Sequence, residues 1–194
     1  MVSPAPSLPK SFAQLSPAEA AELLAARKLP PVESWHPTRT GDSAMEIRAD
    51  GSWYHEGGRI NRPAMVKLFS TILRREPDGS HVLVTPAEKL AIAVEDTAFR
   101  AVEMKSEGDG AARTLLFRLD TDDLVMAGAD HPLSFGGDPD RPDPRLHVRG
   151  AIGNGLEARI DRALYYEIVE MALAEGGDPP AIWSNGACFP LVGR

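Results

Sequence analysis

The sequence predicts an α+β protein built from two related halves, with sheets that are mostly antiparallel. Residues 59–62 read Arg-Ile-Asn-Arg and residues 159–162 read Arg-Ile-Asp-Arg, and an amphipathic helical pattern follows each frame. Three dipeptides typical of hairpin turns, Asp50-Gly51, Asn154-Gly155 and Asn185-Gly186, separate apolar segments. The two frames lie one hundred residues apart. Similarity at a fixed spacing indicates an internal duplication of a hairpin–helix–strand unit.

Composition narrows the classes of protein that this chain can belong to. Its 194 residues carry a formal net charge of -7, which argues against broad binding to nucleic acid or to an anionic membrane. Cys188 is the single cysteine, so the chain forms no internal disulfide, as is usual in a reducing compartment. No apolar run reaches the roughly 20 residues of a membrane span, and residues 1–6 lack a signal pattern. We therefore predict a cytoplasmic protein with no nucleic-acid or membrane partner.

Residues 1–98 are predicted to form the N-terminal domain, which begins with a proline-rich arm over residues 1–10 and a short helix. Ser16, Pro17 and Glu19 mark the start of that helix. Serine caps the first turn, proline suits its first position, and glutamate completes a capping box.

The first repeat follows the short helix. Asp50-Gly51 supplies the positive φ of a tight hairpin turn, and Asn61 can cap a helix that has Pro63 in its first turn. The apolar positions of this helix recur with the 3.6-residue period of a helix that buries one face. The strands predicted around these features are residues 45–48, 53–54, 81–85 and 89–94.

Residues 99–194 are predicted to form the C-terminal domain, which is rich in strands and carries the second repeat. Asp161 caps the second amphipathic helix, and Gly176-Gly177 ends it. Residues 136–144 hold three prolines and three aspartates, a composition that predicts a solvated loop. Cys188 lies in an apolar strand and is predicted to be buried. The predicted strands are residues 99–104, 114–119, 124–127, 146–148, 156–160, 181–183 and 187–189.

Arg62 and Arg162 are the leading candidates for a functional site. Each follows a capping Asn or Asp, so its cation lies in the first helical turn and opposes the helix dipole. Two copies of this unfavourable placement indicate a compensating anion. That anion is either a ligand phosphate or carboxylate, or an internal carboxylate, for which Glu88 and Glu157 are the candidates. The internal ion pair is the more common arrangement in proteins.

Other residue patterns add little catalytic signal. Arg149 and Glu157 lie in the second predicted hairpin, and Arg149 is a third candidate cation. Trp53 could stack on a flat ligand if it is not in the core. The glycines of residues 150–155 indicate turns rather than a phosphate loop, because a strand and not a helix follows them. The five histidines lack metal-ligand spacing, and the aspartates of residues 120–123 lack the rest of a calcium loop. No metal and no cofactor is predicted.

Motifs along nearly the whole chain resemble one bacterial family. They are Leu29-Pro30-Pro31, Trp35-His36-Pro37, residues 50–54, Arg62-Pro63, residues 83–89, residues 94–99, Val148-Arg149-Gly150, Leu156-Glu157-Ala158 and Trp183-Ser184. On these motifs the chain is identified as a member of the family named domain of unknown function 1285. It departs from the family pattern at Ala87 and at Thr97-Ala98, and both changes are small.

The resemblance implies an internally duplicated core and a C-terminal half similar to pleckstrin-homology folds. It also implies a nucleotide-like ligand at the surface between the domains, with a role in signal transduction, and it implies no catalytic residues. The first hypothesis is therefore a non-catalytic small-molecule binding protein with its site between the halves. Its predicted ligand-binding residues are Arg62, Arg162, Arg149, Trp53, Glu157 and Glu88.

Two other hypotheses stay open. One is a hydrolase of a phosphorylated small molecule, which would use Glu157 or Glu88 as its general base. The other is a protein-interaction scaffold, in which a partner peptide adds a strand to an exposed sheet edge.

Overall fold

The computed structural model describes residues 11–138 and 140–191, so the predicted arm at residues 1–10 lies outside the described residues. Its helices are α1 (Pro17–Ala26), α2 (Pro63–Thr71) and α3 (Arg162–Glu175). The strands of the N-terminal half are β1 (Arg39–Ile47), β2 (Trp53–His55), β3 (Gly58–Arg59), β4 (Leu73–Arg75), β5 (His81–Val84) and β6 (Glu88–Val94). Those of the C-terminal half are β7 (Phe99–Glu107), β8 (Thr114–Leu119), β9 (Leu124–Met126), β10 (Leu133–Asp138), β11 (Arg141–Arg149), β12 (Leu156–Ile160), β13 (Ala181–Ser184) and β14 (Ala187–Pro190). Within residues 11–138 and 140–191, no helix is long and apolar enough to cross a membrane.

Each half forms one six-stranded sheet, and the two sheets have the same strand order. The first sheet runs β3-β2-β1-β6-β5-β4, and the second runs β9-β8-β7-β12-β11-β10. In each sheet two antiparallel three-stranded units meet at a single parallel pair, β1 with β6 or β7 with β12. The predicted α+β class, the two related halves and the mostly antiparallel pairing are therefore confirmed. The likeness of the C-terminal half to pleckstrin-homology folds stays a prediction.

The repeated Arg-Ile-polar-Arg frame does not occupy equivalent places in the two sheets. Arg59 lies in the edge strand β3, whereas Arg159 lies in the central strand β12. Equivalent strands begin at Arg39 and Phe99, so their spacing is 99 minus 39, or 60 residues, rather than one hundred. A four-residue frame specifies a local helix start, whereas the pairing of whole strands specifies position in a sheet.

A single apolar cluster joins the two halves. It contains buried side chains from both sheets, from α3 and from the β13–β14 hairpin. Trp53 of the first sheet and Phe99 of the second are among its largest members, at 2% and 1% exposure. Because both halves contribute to one core, packing holds the surface between them in place.

The segment 136–144, expected to be a loop, instead belongs to the β10–β11 hairpin. Gly137 pairs with Pro142, and Phe135 pairs with Pro144. The neighbouring strand β12 begins to pair with β11 only at Arg145. The first part of β11 therefore pairs on one side only, and prolines without an N–H group are tolerated there.

Two smaller differences separate the structure from the sequence prediction. Arg62, not Asn61, is the N-cap of α2, with Pro63 at the first helical position. Cys188 is exposed rather than buried, because alternate residues of a two-stranded sheet face solvent. The capping box of α1 and the cap position of α3 at Asp161 agree with the prediction.

Candidate functional site

The candidate functional site is a cleft between the two halves. The N-terminal half contributes the turn after β1, and the C-terminal half contributes β7, the β10–β11 turn, the end of β12 and the start of α3. The cavity has a volume of about 560 Å³. Its charged and aromatic lining is Asp50, Arg100, Asp140, Arg141, Arg159, Asp161, Arg162 and Tyr165. We call this feature the arginine cleft.

Arg100 and Arg159 are already engaged by carboxylates. Arg100 donates from Nε and Nη2 to Oδ1 of Asp161 at 3.0 and 2.7 Å, and from Nη1 to the Asp50 carbonyl at 2.8 Å. Arg159 pairs with Asp96, and this guanidinium keeps the pKa of the Asp96 carboxyl below its usual value. These two arginines therefore shape the cleft and tie the halves together.

Arg141 and Arg162 keep their positive charge available to a ligand. Both side chains are exposed, and within residues 11–138 and 140–191 neither has a carboxylate at ion-pair distance. Arg162 donates from Nε to the Tyr166 hydroxyl at 2.9 Å, and its guanidinium lies 5.5 Å from the centre of that ring. Two uncompensated guanidinium groups on one cleft form a ready site for an anion.

The N-terminus of α3 strengthens this site. Asp161 is the N-cap, yet its side chain does not accept a hydrogen bond from the first turn, because Arg100 holds its carboxylate. The first backbone N–H groups of α3 are therefore left without a side-chain cap. Free N–H groups at the positive end of a 14-residue helix favour a bound anion.

A second cleft adjoins the first at Asp50. Its cavity has a volume of about 470 Å³, and its charged lining is Asp50, Arg59, Lys67, Asp120 and Asp122. We call it the aspartate cleft. The Asp120 carboxylate accepts the Arg100 backbone N–H at 3.2 Å and lies against Gly51, where a Cβ atom would come within 2.5 Å of Oδ2. Gly51 has φ 83°, a backbone conformation that favours glycine, and a Cβ atom here would displace the Asp120 carboxylate.

The Asp120 carboxyl has an unusual acidity for an aspartate. Burial against the protein raises its pKa to about 6, although hydrogen bonding and the Arg100 charge oppose this rise. The residue is nevertheless exposed to solvent, so water limits the effect of this burial. Asp120 has no ion-pair partner in the part of the chain that the structure describes, so it is a carboxylate that a ligand or a proton can reach.

Replacing Asp120 with asparagine is expected to flatten the pH dependence of folding stability. The folded protein holds the Asp120 proton more tightly than the unfolded chain does. This carboxyl therefore favours folding below pH 3.8, and the benefit is lost as pH rises through about 6. From pH 4 to pH 7.5, the free energy of unfolding of the asparagine variant should rise by up to about 1 kcal/mol relative to that of the wild type. The value is small because water screens an exposed charge. Urea unfolding at both pH values measures it, and an unchanged pH dependence would contradict it.

Of the predicted site residues, Arg162 is the one that lines the arginine cleft. Arg62 is exposed at the start of α2 and lines neither cleft. Trp53 borders the aspartate cleft, but with only 2% of its surface exposed it belongs to the core and offers no ring face for stacking. The half-buried Tyr165 takes the place expected for Trp53 on the wall of the arginine cleft.

Arg149 connects the two halves through backbone carbonyls. Its Nη2 donates to the carbonyls of Ser70 and Leu73 at 2.5 and 2.9 Å, near the end of α2. Burial lowers its pKa to about 10, and its Nε has no hydrogen-bond partner among the described residues. A cation at the C-terminal end of a helix is favourably placed, so Arg149 stabilises the packing of β11 against α2.

The two predicted glutamates contact other arginines. Glu157 accepts from Arg145 at 3.3 Å, and Glu88 pairs with Arg39 at 3.4 Å. Neither glutamate forms an ion pair with Arg62 or Arg162 in the described structure. The anion that would compensate Arg162 is therefore not one of the predicted internal carboxylates.

Sequence reasoning missed Arg100, Arg141, Arg159 and Tyr165. Arg141 lies in the segment predicted to be a loop, and Tyr165 lies in the second amphipathic helix, whose pattern gives it no separate role. Arg159 belongs to the repeated frame, but no local signal marks Arg100, Arg141 or Tyr165. These residues meet through the pairing of β7 with β12 and the reach of the β10–β11 hairpin. No group of three or more His, Cys, Asp or Glu side chains in residues 11–138 and 140–191 is placed to hold a metal ion.

Two matching six-stranded sheets and a charged cleft between them define a two-domain α+β protein with a candidate ligand-binding interface. A family model described as DUF1285, N-terminal domain, matches residues 30–97. A second model, described as DUF1285, C-terminal domain, matches residues 98–191. The chain therefore belongs to the DUF1285 family, which its sequence motifs indicated.

Solved structures of the same family resemble this fold. A DUF1285 family protein from Silicibacter pomeroyi DSS-3 matches with a TM-score of 0.76 and 39% identity, over 90% of this chain and 94% of that chain. A DUF1285 family protein from Shewanella baltica OS155 matches with a TM-score of 0.51 and 24% identity, over 66% of this chain and 92% of that chain. The second likeness concerns the fold alone.

A curated relative comes from a different class of protein. The chain is 37% identical over 91 residues to a dTTP/UTP pyrophosphatase from Salinibacter ruber (strain DSM 13855 / M31). The match covers 43% of this chain and 42% of that protein. The chain thus spans less than half the length of this relative.

Proposed function

We propose that the protein binds a phosphate-bearing, nucleotide-like small molecule in the arginine cleft without transforming it. The observation that carries this proposal is the pair of exposed guanidinium groups, Arg141 and Arg162, which line the cleft without carboxylate partners in the described structure. A guanidinium group can donate two parallel hydrogen bonds to phosphate oxygens. The adjacent first turn of α3 adds backbone N–H donors to the same side of the cleft.

The size and the remaining lining of the cleft agree with such a ligand. A volume of about 560 Å³ is within the usual range of small-molecule sites, roughly 300–1,000 Å³. The half-buried ring of Tyr165 offers an aromatic surface near the arginines, on which a base can stack. The partial likeness to a dTTP/UTP pyrophosphatase supports a nucleotide rather than a simple anion.

A role in signalling would follow from the place of Arg100. This arginine contacts the Asp50 carbonyl of one half and the Asp161 carboxylate of the other, inside the proposed site. A ligand phosphate that draws Arg100 away from either partner would bind one arrangement of the halves more tightly than another. Such differential binding is what a ligand needs to shift a conformational equilibrium.

A thermal-shift screen of the purified chain tests the proposed binding. The panel contains dTTP, UTP, ATP, cyclic dinucleotides, dinucleotide cofactors, pyrophosphate and inorganic phosphate. A ligand at 100 times its Kd should add about 2.7 kcal/mol of stability, or roughly 5–11 °C in Tm. We expect a selective rise with a nucleotide. A flat panel would refute the proposal and make a protein partner the leading explanation.

Hydrolysis is a second candidate function, because Asp120 is a carboxylate in an open cleft without an ion-pair partner among the described residues. A base with a pKa of about 6 is well matched to reaction near neutral pH, and Arg59 and Lys67 line the same cleft. Phosphate or pyrophosphate release from dTTP and UTP tests this candidate. Release that disappears in Asp120→Asn would support hydrolysis, and absence of release by the wild type would reject it.

A further inference from the structure

We propose that a groove between α2 and the first sheet is a second binding site, which takes an apolar molecule carrying a positively charged amine. The groove has a cavity volume of about 490 Å³ and an apolar lining that includes Met45, Met65, Phe69, Leu83 and Leu90. It shares no lining residue with the arginine cleft. We call it the helix pocket, and the proposal does not depend on the function proposed for the cleft.

The helix pocket exists because α2 covers the sheet incompletely. The helix has only nine residues, and its side chains toward the sheet stay partly open. Met65 is 38% exposed and Phe69 is half-buried, although both line the pocket. Leu83 and Met45 form a buried floor at 5% and 7% exposure. An apolar ligand would cover surface that the fold leaves in contact with water.

An irregularity of β1 shapes the mouth of the pocket. Asp42 pairs with Ala91 and Met45 with the next residue of β6, so Ser43 and Ala44 are extra residues in β1. Ala44 adopts φ 53°, a conformation that costs free energy for any residue except glycine. Its N–H donates to Oδ1 of Asp42 at 2.8 Å. Such bulges re-aim side chains and are frequent beside functional sites, and this one directly follows Asp42, an exposed residue of the pocket lining.

The charges at the mouth select the ligand. Two carboxylates, Asp42 and Glu88, line the pocket, and no lysine or arginine does so among the described residues. Glu88 pairs at 3.4 Å with Arg39, whose side chain is 79% exposed, whereas Asp42 has no ion-pair partner in that part of the chain. His55 also lines the pocket. An amine head would be attracted here, and a carboxylate head would be repelled.

Calorimetric titration of the full-length protein with decylamine, and with decanoate as the matched anion, tests the site. Both probes are kept below their micelle-forming concentrations. We expect decylamine to bind one to one, at least tenfold more tightly than decanoate. Leu90→Trp, which fills the pocket, should abolish this binding. Met65→Trp, from the more exposed helix wall, is a second filling variant in case Leu90→Trp misfolds.

Charge selection is tested separately. Asp42→Asn keeps an oxygen acceptor for the Ala44 N–H but removes the charge, so the preference for decylamine should fall below threefold. Asp130→Asn, an exposed residue of the other half, is the control and should leave the preference unchanged. Absence of saturable binding, or binding that persists in both filling variants, would overturn the site. Equal binding of decanoate by the wild type would overturn the assignment of an amine ligand.

Discussion

Replacing Arg162 with alanine is expected to weaken nucleotide binding by about 10- to 100-fold while leaving the protein folded. A hydrogen bond to a charged group contributes about 1.5–3 kcal/mol, which corresponds to that loss of affinity. The side chain contacts Tyr166 on its own helix, so its removal opens no cavity in the core. It also removes a cation from the start of α3, where a positive charge opposes the helix dipole. The free energy of unfolding should therefore stay unchanged or rise by up to about 0.5 kcal/mol.

Matched variants locate this effect in the arginine cleft. Calorimetry uses the nucleotide that raises Tm most in the screen. Arg141→Ala should weaken its binding by a similar factor, and Arg162→Lys should lose less because it keeps the charge. Arg62→Ala is the control, since Arg62 is exposed at the start of α2 and lines neither cleft. An equal loss of binding in Arg62→Ala, or unfolding of Arg162→Ala, would show that Arg162 is not a ligand-binding residue.

Replacing Arg149 with methionine is expected to lower the free energy of unfolding by about 2–3 kcal/mol. The carbonyls of Ser70 and Leu73 would lose a charged donor at the junction of the two halves. Methionine keeps much of the side-chain volume, so lost packing contributes little. Relief of the desolvated charge, which lowers the Arg149 pKa to about 10, offsets part of the loss.

Urea unfolding measures the stability of the Arg149→Met variant against the wild type. Arg141→Ala serves as the matched control, because it removes an exposed arginine and should change stability by less than about 0.5 kcal/mol. Arg149→Met should also keep nucleotide affinity at temperatures where it is folded. If Arg149→Met had normal stability but no longer bound the nucleotide, Arg149 would be a ligand-binding residue.

Features specified by neighbouring residues were predictable from the sequence. Ser16 and Glu19 form the expected capping box, and Asp50-Gly51 turns the expected hairpin between β1 and β2. The Asn185-Gly186 hairpin also forms, with both residues at positive φ. Strands β11 and β12 pair as a hairpin too, but residues 150–155 connect them, and neither Asn154 nor Gly155 has a positive φ. Each of these features depends on contacts within a few residues, so a short stretch of sequence contains all the information it needs.

The candidate site was less predictable because its parts are distant in the chain. Arg162 could be singled out from its place at a helix start, but Arg100 and Arg141 carry no such mark. They reach the cleft because β7 pairs with β12 and because the prolines of β11 lie where that strand is paired on one side only. The duplication was foreseen from a four-residue frame, yet its true form is the shared strand order of the sheets.

Composition, local turns, helix starts and family motifs were thus enough to establish the α+β class, the two halves and the DUF1285 family. The sequence could not establish which arginines are free. Arg100, Arg149 and Arg162 are chemically alike. Arg100 binds a carboxylate, Arg149 binds backbone carbonyls, and Arg162 has no carboxylate partner in the described structure. These partners come from strands that are far apart in the chain. Whether a charge has a partner depends on distances between side chains, and tertiary packing determines those distances.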